Sequence, residues 1–109
     1  MSKTMEFSYD GKEYKLEFTK RTIKQMADDG FILNEISDKP MLLMDLFRGA
    51  FLANHRSTKR DVIEEIYQHM PNKDKLIEKL AEMYNDPLEG LMEEPSQDDA
   101  KKVSWVTNW

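Results

Sequence analysis

Apolar and polar residues alternate twice near the start of the chain, over residues 5–9 and again over residues 14–18. Asp10-Gly11 separates the two runs, and this dipeptide readily adopts the positive φ angles of a tight turn. Period two places the apolar side chains of both runs on one face. The pattern predicts a β-hairpin over residues 4–18 whose apolar face packs on helices, because an isolated hairpin is marginally stable in water.

The residues after the hairpin change to helical spacing. Thr19 is a suitable N-cap, and Ile23 and Met26 then lie on one face of a helix that runs to about Asp29. Gly30 is placed to end this helix in a left-handed conformation. We therefore predict a first helix between Thr19 and Gly30.

The most apolar stretch of the chain, Met41–Ala53, follows Pro40. Proline is tolerated in a first helical turn because its missing N–H would have no partner there. The stretch predicts a central helix that is apolar on most sides and therefore needs neighbours on several sides.

Two further helices are predicted from their start signals. Either Ser57 or Thr58 begins the next helix, and Asp61 stands three positions after Thr58 as in a capping box. Asn72 is a suitable cap for a further helix, and Asp86-Pro87 predicts a restart with a last turn or two beyond it.

Together these patterns predict an α+β fold, mainly α, in which an N-terminal β-hairpin packs on a bundle of four to five helices. We expect a single globular domain over residues 1–93, with the hairpin in 4–18 and the helices within 19–93. Residues 94–109 form an acidic linker and a tryptophan-containing tail. The alternating residues of this tail predict an added strand on the hairpin edge or a segment that docks on a neighbouring subunit.

Composition narrows the function. The 16 Lys and Arg residues against 21 Asp and Glu give a net charge of −5, which argues against general attraction to nucleic acid or anionic lipid. The chain has no cysteine, and no apolar run of signal-peptide or membrane-spanning length is present. We expect a soluble cytoplasmic protein.

Candidate chemistry is sparse. His55 and His69 do not have the spacing of a helical metal pair, and neighbouring carboxylates such as Asp28-Asp29 point about 100° apart on a helix. The one basic cluster, residues 56–60, precedes helices with acidic faces, so DNA binding by a small regulator is the weakest alternative. We expect no catalytic residue, no metal and no cofactor.

Methionine is abundant, with eight in 109 residues, and several fall on the apolar helix faces. These side chains either only fill the core or form an apolar groove that adapts to helical segments of a client protein. The candidate protein-binding residues are Met41, Met44, Phe47, Phe51, Met83, Met92, Trp105 and Trp109.

Several strings resemble one family: Tyr9-Asp10-Gly11-Lys12, Gly30-Phe31, and the segments 35–41, 49–56 and 76–87. Together with the acidic linker and the tryptophan-bearing end, they are similar to small proteins encoded in the tail module of siphophages and prophages of Gram-positive bacteria. The resemblance covers nearly the whole chain and carries no site residues.

The resemblance implies a tail assembly chaperone in the cytoplasm of a bacterial host. Such a protein binds the helices of the tape-measure protein during tail morphogenesis until tail-tube protein replaces it, and it can self-associate. A structural tail or connector component retained in the virion is the main alternative.

Overall fold

The computed structural model describes residues 3–109, apart from the side chain of Met92. It confirms the predicted α+β, mainly α fold: a two-stranded hairpin followed by four α-helices. The elements are β1 (Thr4–Tyr9), β2 (Lys12–Glu17), α1 (Lys20–Asp28), a 3₁₀ turn (Leu33–Glu35), α2 (Leu42–Gly49), α3 (Arg60–His69), α4 (Lys73–Glu89) and a second 3₁₀ turn (Gly90–Met92).

The hairpin forms as the sequence predicts. Asp10 and Gly11 have φ angles of 50° and 78°, so both central turn residues are left-handed. This two-residue turn sets an antiparallel register in which Tyr9 faces Lys12 and Met5 faces Leu16. The side chains of β2 on the apolar face are buried and those of β1 are half-buried.

The edge of β2 that faces away from β1 is covered by residues 50–55. The Lys15 N–H donates to Nε2 of His55 at 2.9 Å, and Asn54 Nδ2 donates to the Lys15 carbonyl at 3.1 Å. The Glu17 N–H donates to the Ala50 carbonyl at 3.1 Å. These bonds satisfy backbone groups that would otherwise form an open sheet edge.

This contact also explains why the central helix is shorter than predicted. The prediction of a helix to Ala53 is wrong, because α2 ends at Gly49. The Ala50 carbonyl is used by β2, and the next residues form i to i+3 turn bonds from the Phe51 N–H to Arg48 and from the Leu52 N–H to Gly49.

The first helix follows its predicted signals. Thr19 Oγ1 accepts from the Thr22 N–H at 3.1 Å, and Thr22 Oγ1 accepts from the Thr19 N–H at 2.9 Å, which makes a reciprocal cap. Gly30 has a φ of 95°, as predicted for a left-handed helix end.

Three predicted helix-end details are wrong. Lys59, without a side-chain cap, precedes α3, so Thr58 is not its cap. Asn72 precedes α4 as predicted, but its left-handed backbone (φ 59°) turns the chain and its side chain makes no capping bond. There is no restart at Asp86-Pro87, because α4 continues through Pro87 and keeps half-buried Leu88 packed against the core.

The core joins the hairpin to all four helices. Leu46 and Phe47 of α2 are fully buried at its centre, and the Tyr84 ring of α4 packs edge-on against Phe18 at 5.4 Å and Phe31 at 5.6 Å. The buried apolar residues are Tyr14, Leu16, Phe18, Ile23, Met26, Phe31, Leu46, Phe47, Ala50, Phe51, Ile63, Ile66, Leu76, Leu80, Met83 and Tyr84.

The C-terminal tail stands away from this core. In the part of the chain that the structure describes, no strand or helix follows Met92, so the predicted added strand on the chain's own hairpin is absent. The radius of gyration is 17.1 Å, whereas a compact domain of this length has about 13 Å. Across residues 3–109, no helix has both the length and the apolar character to cross a bilayer.

Protonation of His55 is expected to weaken the fold. Its Nε2 accepts a hydrogen bond, which requires the neutral ring, and burial followed by the charge of Lys12 lowers its pKa. Because the folded pKa lies below the unfolded value of about 6.5, this contribution is complete above pH ~6.5 and is lost as the pH falls through the folded pKa.

We therefore expect His55→Gln, which keeps an acceptor, to flatten the pH dependence of the unfolding free energy between about pH 7.5 and pH 5. Met41→Gln, a neutral substitution at an exposed position, is the control and should keep the slope of the unaltered protein. Urea unfolding across this pH range measures both variants, and equal slopes for His55→Gln and the unaltered protein would contradict the account.

Truncation of Phe47 should destabilise the domain strongly. Its ring is fully buried and lies 5.2 Å from the rings of both Phe51 and Tyr67, so Phe47→Ala leaves a cavity that costs about 3–5 kcal/mol. Met41→Ala, at an exposed position, should change the unfolding free energy by less than about 0.5 kcal/mol. Similar urea midpoints for the two variants would show that Phe47 is not a core residue.

Candidate functional site

An open groove lies between α1 and α2, with a volume of about 490 Å³. We call it the α1/α2 groove. It is lined by Gln25, Met26, Asp29, Gly30, Phe31, Leu42, Asp45, Arg48, Gly49 and Leu52.

The floor of the groove depends on the absence of a side chain at Gly49. A methyl group at this position would overlap Sδ and Cε of Met26, so glycine lets α2 approach the methionine of α1 closely. Gly49 is the last residue of α2, and the end of the Met26 side chain occupies the space that a side chain at this position would need. The flexible Met26 thioether therefore forms part of the groove floor.

The walls combine apolar and charged side chains. Phe31 is buried at the inner end, and Leu42 and Leu52 are half-buried. At the rim, Arg48 Nη1 lies 3.6 Å from Asp45 Oδ1, and both side chains remain partly exposed. Such a rim can orient a charged partner while the floor takes up apolar side chains.

Two exposed apolar residues are neighbours of groove residues in the chain. Ile32, which follows Phe31 in the chain, is 50% exposed, and Met41, which precedes Leu42, is 83% exposed. Their apolar side chains are therefore accessible to a partner larger than the groove.

The structure separates the sequence-predicted binding residues into three groups. Met41 is exposed next to the groove, and Met44 is half-buried against the core. Trp105 and Trp109 are exposed on the tail, at 78% and 96%. The side chain of Met92 lies outside the described residues.

The remaining three predicted binding residues do not lie on the surface. Phe47 and Phe51 are buried because α2 packs against α3 and α4 and the Phe51 ring packs edge-on against Tyr14 of the hairpin. Met83 is buried on α4. Their side chains stabilise the domain and are not accessible to a client in this structure.

The sequence did not predict the groove. The predicted core position of Met26 and helix-end position of Asp29 are both confirmed, but these residues also line the groove, and Arg48 and Gly49 were not among the predicted binding residues. The one available signal was Gly49 inside an otherwise strongly apolar segment, since a glycine within a helix often marks close packing.

Neither histidine belongs to a cluster. The His55 ring lies 5.1 Å from Tyr14, and His69 Nδ1 is 2.9 Å from the carbonyl oxygen of Glu65. Within residues 3–109, no three His, Cys, Asp or Glu side chains are grouped so that they could hold a metal ion.

Comparison with known proteins gives a family but no activity. A family model described as a domain of unknown function, DUF5055, matches residues 1–109. No curated protein and no solved structure matches the chain. Because the family model covers the full sequence, the chain belongs to the DUF5055 family.

Proposed function

We propose that this protein is a phage tail assembly chaperone that holds helices of the tape-measure protein in the α1/α2 groove in the bacterial cytoplasm. The observation that carries the proposal is the groove itself, an apolar floor with a charged rim and exposed apolar flanks. The sequence resemblance to tail-module proteins of siphophages supplies the class of client.

The shape of the groove favours a polypeptide over a small molecule. Its volume lies within the range of about 300–1,000 Å³ that small ligands occupy, but it is open to solvent between two helices, and its polar residues Gln25, Asp29, Asp45 and Arg48 share the lining with apolar ones. A client helix can insert apolar side chains at i, i+3 and i+4 into the channel while its flanks contact Ile32 and Met41.

The composition of the floor suits varied segments of a long client. Met26 has three rotatable bonds and a polarizable sulfur, so it adapts its shape to different inserted side chains. A small contact area without a deep aromatic pocket gives moderate and reversible binding, as a chaperone that must be displaced by tail-tube protein requires.

The charges around the groove favour client helices of one charge type. Asp29 and Asp45 line the rim, and Arg48 is already close to Asp45. Client helices with basic residues flanking the apolar positions should therefore bind better than acidic ones.

An acidic residue on the flank should weaken client binding without unfolding the protein. Met41→Asp places a charge on an apolar contact surface, and because Met41 is 83% exposed the fold has little to lose. We expect at least a ~10-fold weaker affinity for the tape-measure protein, measured by co-purification and titration.

Leu91→Asp is the matched control, because Leu91 is also an exposed apolar residue but does not line the groove. Its affinity should equal that of the unaltered protein. A tape-measure protein that stays insoluble and unbound on co-expression would contradict the proposal.

Mass spectrometry of purified virions separates the chaperone from a structural tail component. A chaperone is released before the tail is complete, so its peptides should be absent from mature particles. Stoichiometric recovery of the protein from virions would favour the structural alternative.

A further inference from the structure

The outer edge of β1 is open. Tyr9 and Lys12 flank the two-residue turn, so the alternation of an antiparallel ladder directs the backbone N–H and C=O groups of Thr4, Glu6 and Ser8 away from β2. All three residues are exposed, and no backbone hydrogen bond from the described residues reaches these outward groups.

The opposite edge of the hairpin is not available. The outward groups of Lys15 and Glu17 in β2 already bond to residues 50–55. Among the described strands, β1 thus offers the one free edge, and it has no proline or bulge of the kind that blocks strand addition.

The tail of the chain has the properties of a missing strand. Val103, Trp105 and Thr107 alternate, and residues 101–109 contain β-branched and aromatic side chains without proline or glycine. Val103 and Trp105 are more than three-quarters exposed, so the segment leaves a large apolar surface in water.

We propose that residues 103–107 of a second copy of this chain add to β1 as an antiparallel third strand. Main-chain bonds to the outward groups of β1 would give affinity, as in other strand-addition complexes. Trp105 of the second copy would cover the half-buried side chains of Met5 and Phe7 on the apolar face of the sheet.

Charge complementarity favours the tail over a direct pairing of two β1 strands. The outer face of the hairpin carries Glu6, Glu13 and Glu17 against the single Lys15, whereas Lys101-Lys102 immediately precedes the tail strand. Two antiparallel β1 strands paired about their centre would instead bring two copies of Glu6 together.

The tail does not occupy the open edge of its own domain in this structure. Residues 101–109 are exposed, no strand follows Met92 in the described chain, and the molecule is extended, with a longest dimension of 56 Å. Reciprocal exchange of two tails closes a two-fold dimer in which both open edges are paired.

Fluorescence and sedimentation of the full chain test the proposal together. In a Trp109→Phe background, Trp105 is the single indole, and its emission reports whether the ring leaves water. Between about 1 μM and about 1 mM protein, we expect the emission to move to shorter wavelength with the same concentration dependence as the conversion of monomer to dimer.

Proline at the open edge should prevent the association. Glu6→Pro removes an outward N–H at a position where an edge strand tolerates proline, and Glu13→Pro is the matched substitution at an outward position of β2. We expect Glu6→Pro to weaken dimerisation at least ~10-fold and Glu13→Pro to leave it unchanged, with circular dichroism reporting the fold of each.

A substitution in the tail tests the same association without altering the hairpin, so its result does not depend on whether the hairpin variants fold. Val106→Pro alters only the exposed tail, and it removes an N–H that faces β1 when Trp105 lies on the apolar face, so it should weaken dimerisation as Glu6→Pro does. A monomer with unshifted emission at every concentration would overturn the proposal. A blue-shifted monomer, whose tail occupies its own domain, would overturn it as well.

Discussion

The contact between β2 and residues 50–55 is the interaction on which the rest of this structure depends. Three hydrogen bonds from Lys15, Glu17 and Asn54 close one edge of the hairpin and at the same time end α2 after Gly49. The early end of α2 places Leu52 in the turn that lines the α1/α2 groove. Closing the β2 edge also leaves β1 as the open edge, so one contact determines both surfaces that are available to partners.

Local sequence signals were sufficient at the hairpin turn and at the start of α1, but not at the starts of α3 and α4. Asp10-Gly11 specifies its turn and Thr19 its cap because each acts on residues within a few positions. The predicted end of the central helix failed for the opposite reason, since the Ala50 carbonyl is taken by a strand more than thirty residues earlier in the chain. The continuation of α4 through Pro87 likewise follows from tertiary packing of Leu88, which overrides a local breaker.

The candidate site was harder to predict than the fold. Apolar periodicity identifies residues that face other residues, but it does not distinguish a core contact from a client contact. Phe51 accordingly proved to be core, whereas Met41, the first residue of the same apolar run, is exposed. The groove arises from the crossing of α1 and α2 at Gly49 and Met26, and a crossing cannot be read from either helix alone.

The central claim is that this protein acts by offering apolar surface to other polypeptides at the α1/α2 groove. Methyl NMR of the methionine residues tests it most directly, with a peptide from a tape-measure helix as the titrant. The account predicts that the methyl signals of Met26, which lines the groove, and of exposed Met41 shift on addition of the peptide, while that of Met83, which does not line it, stays unchanged. Unchanged Met26 and Met41 signals in the presence of a bound peptide would contradict it.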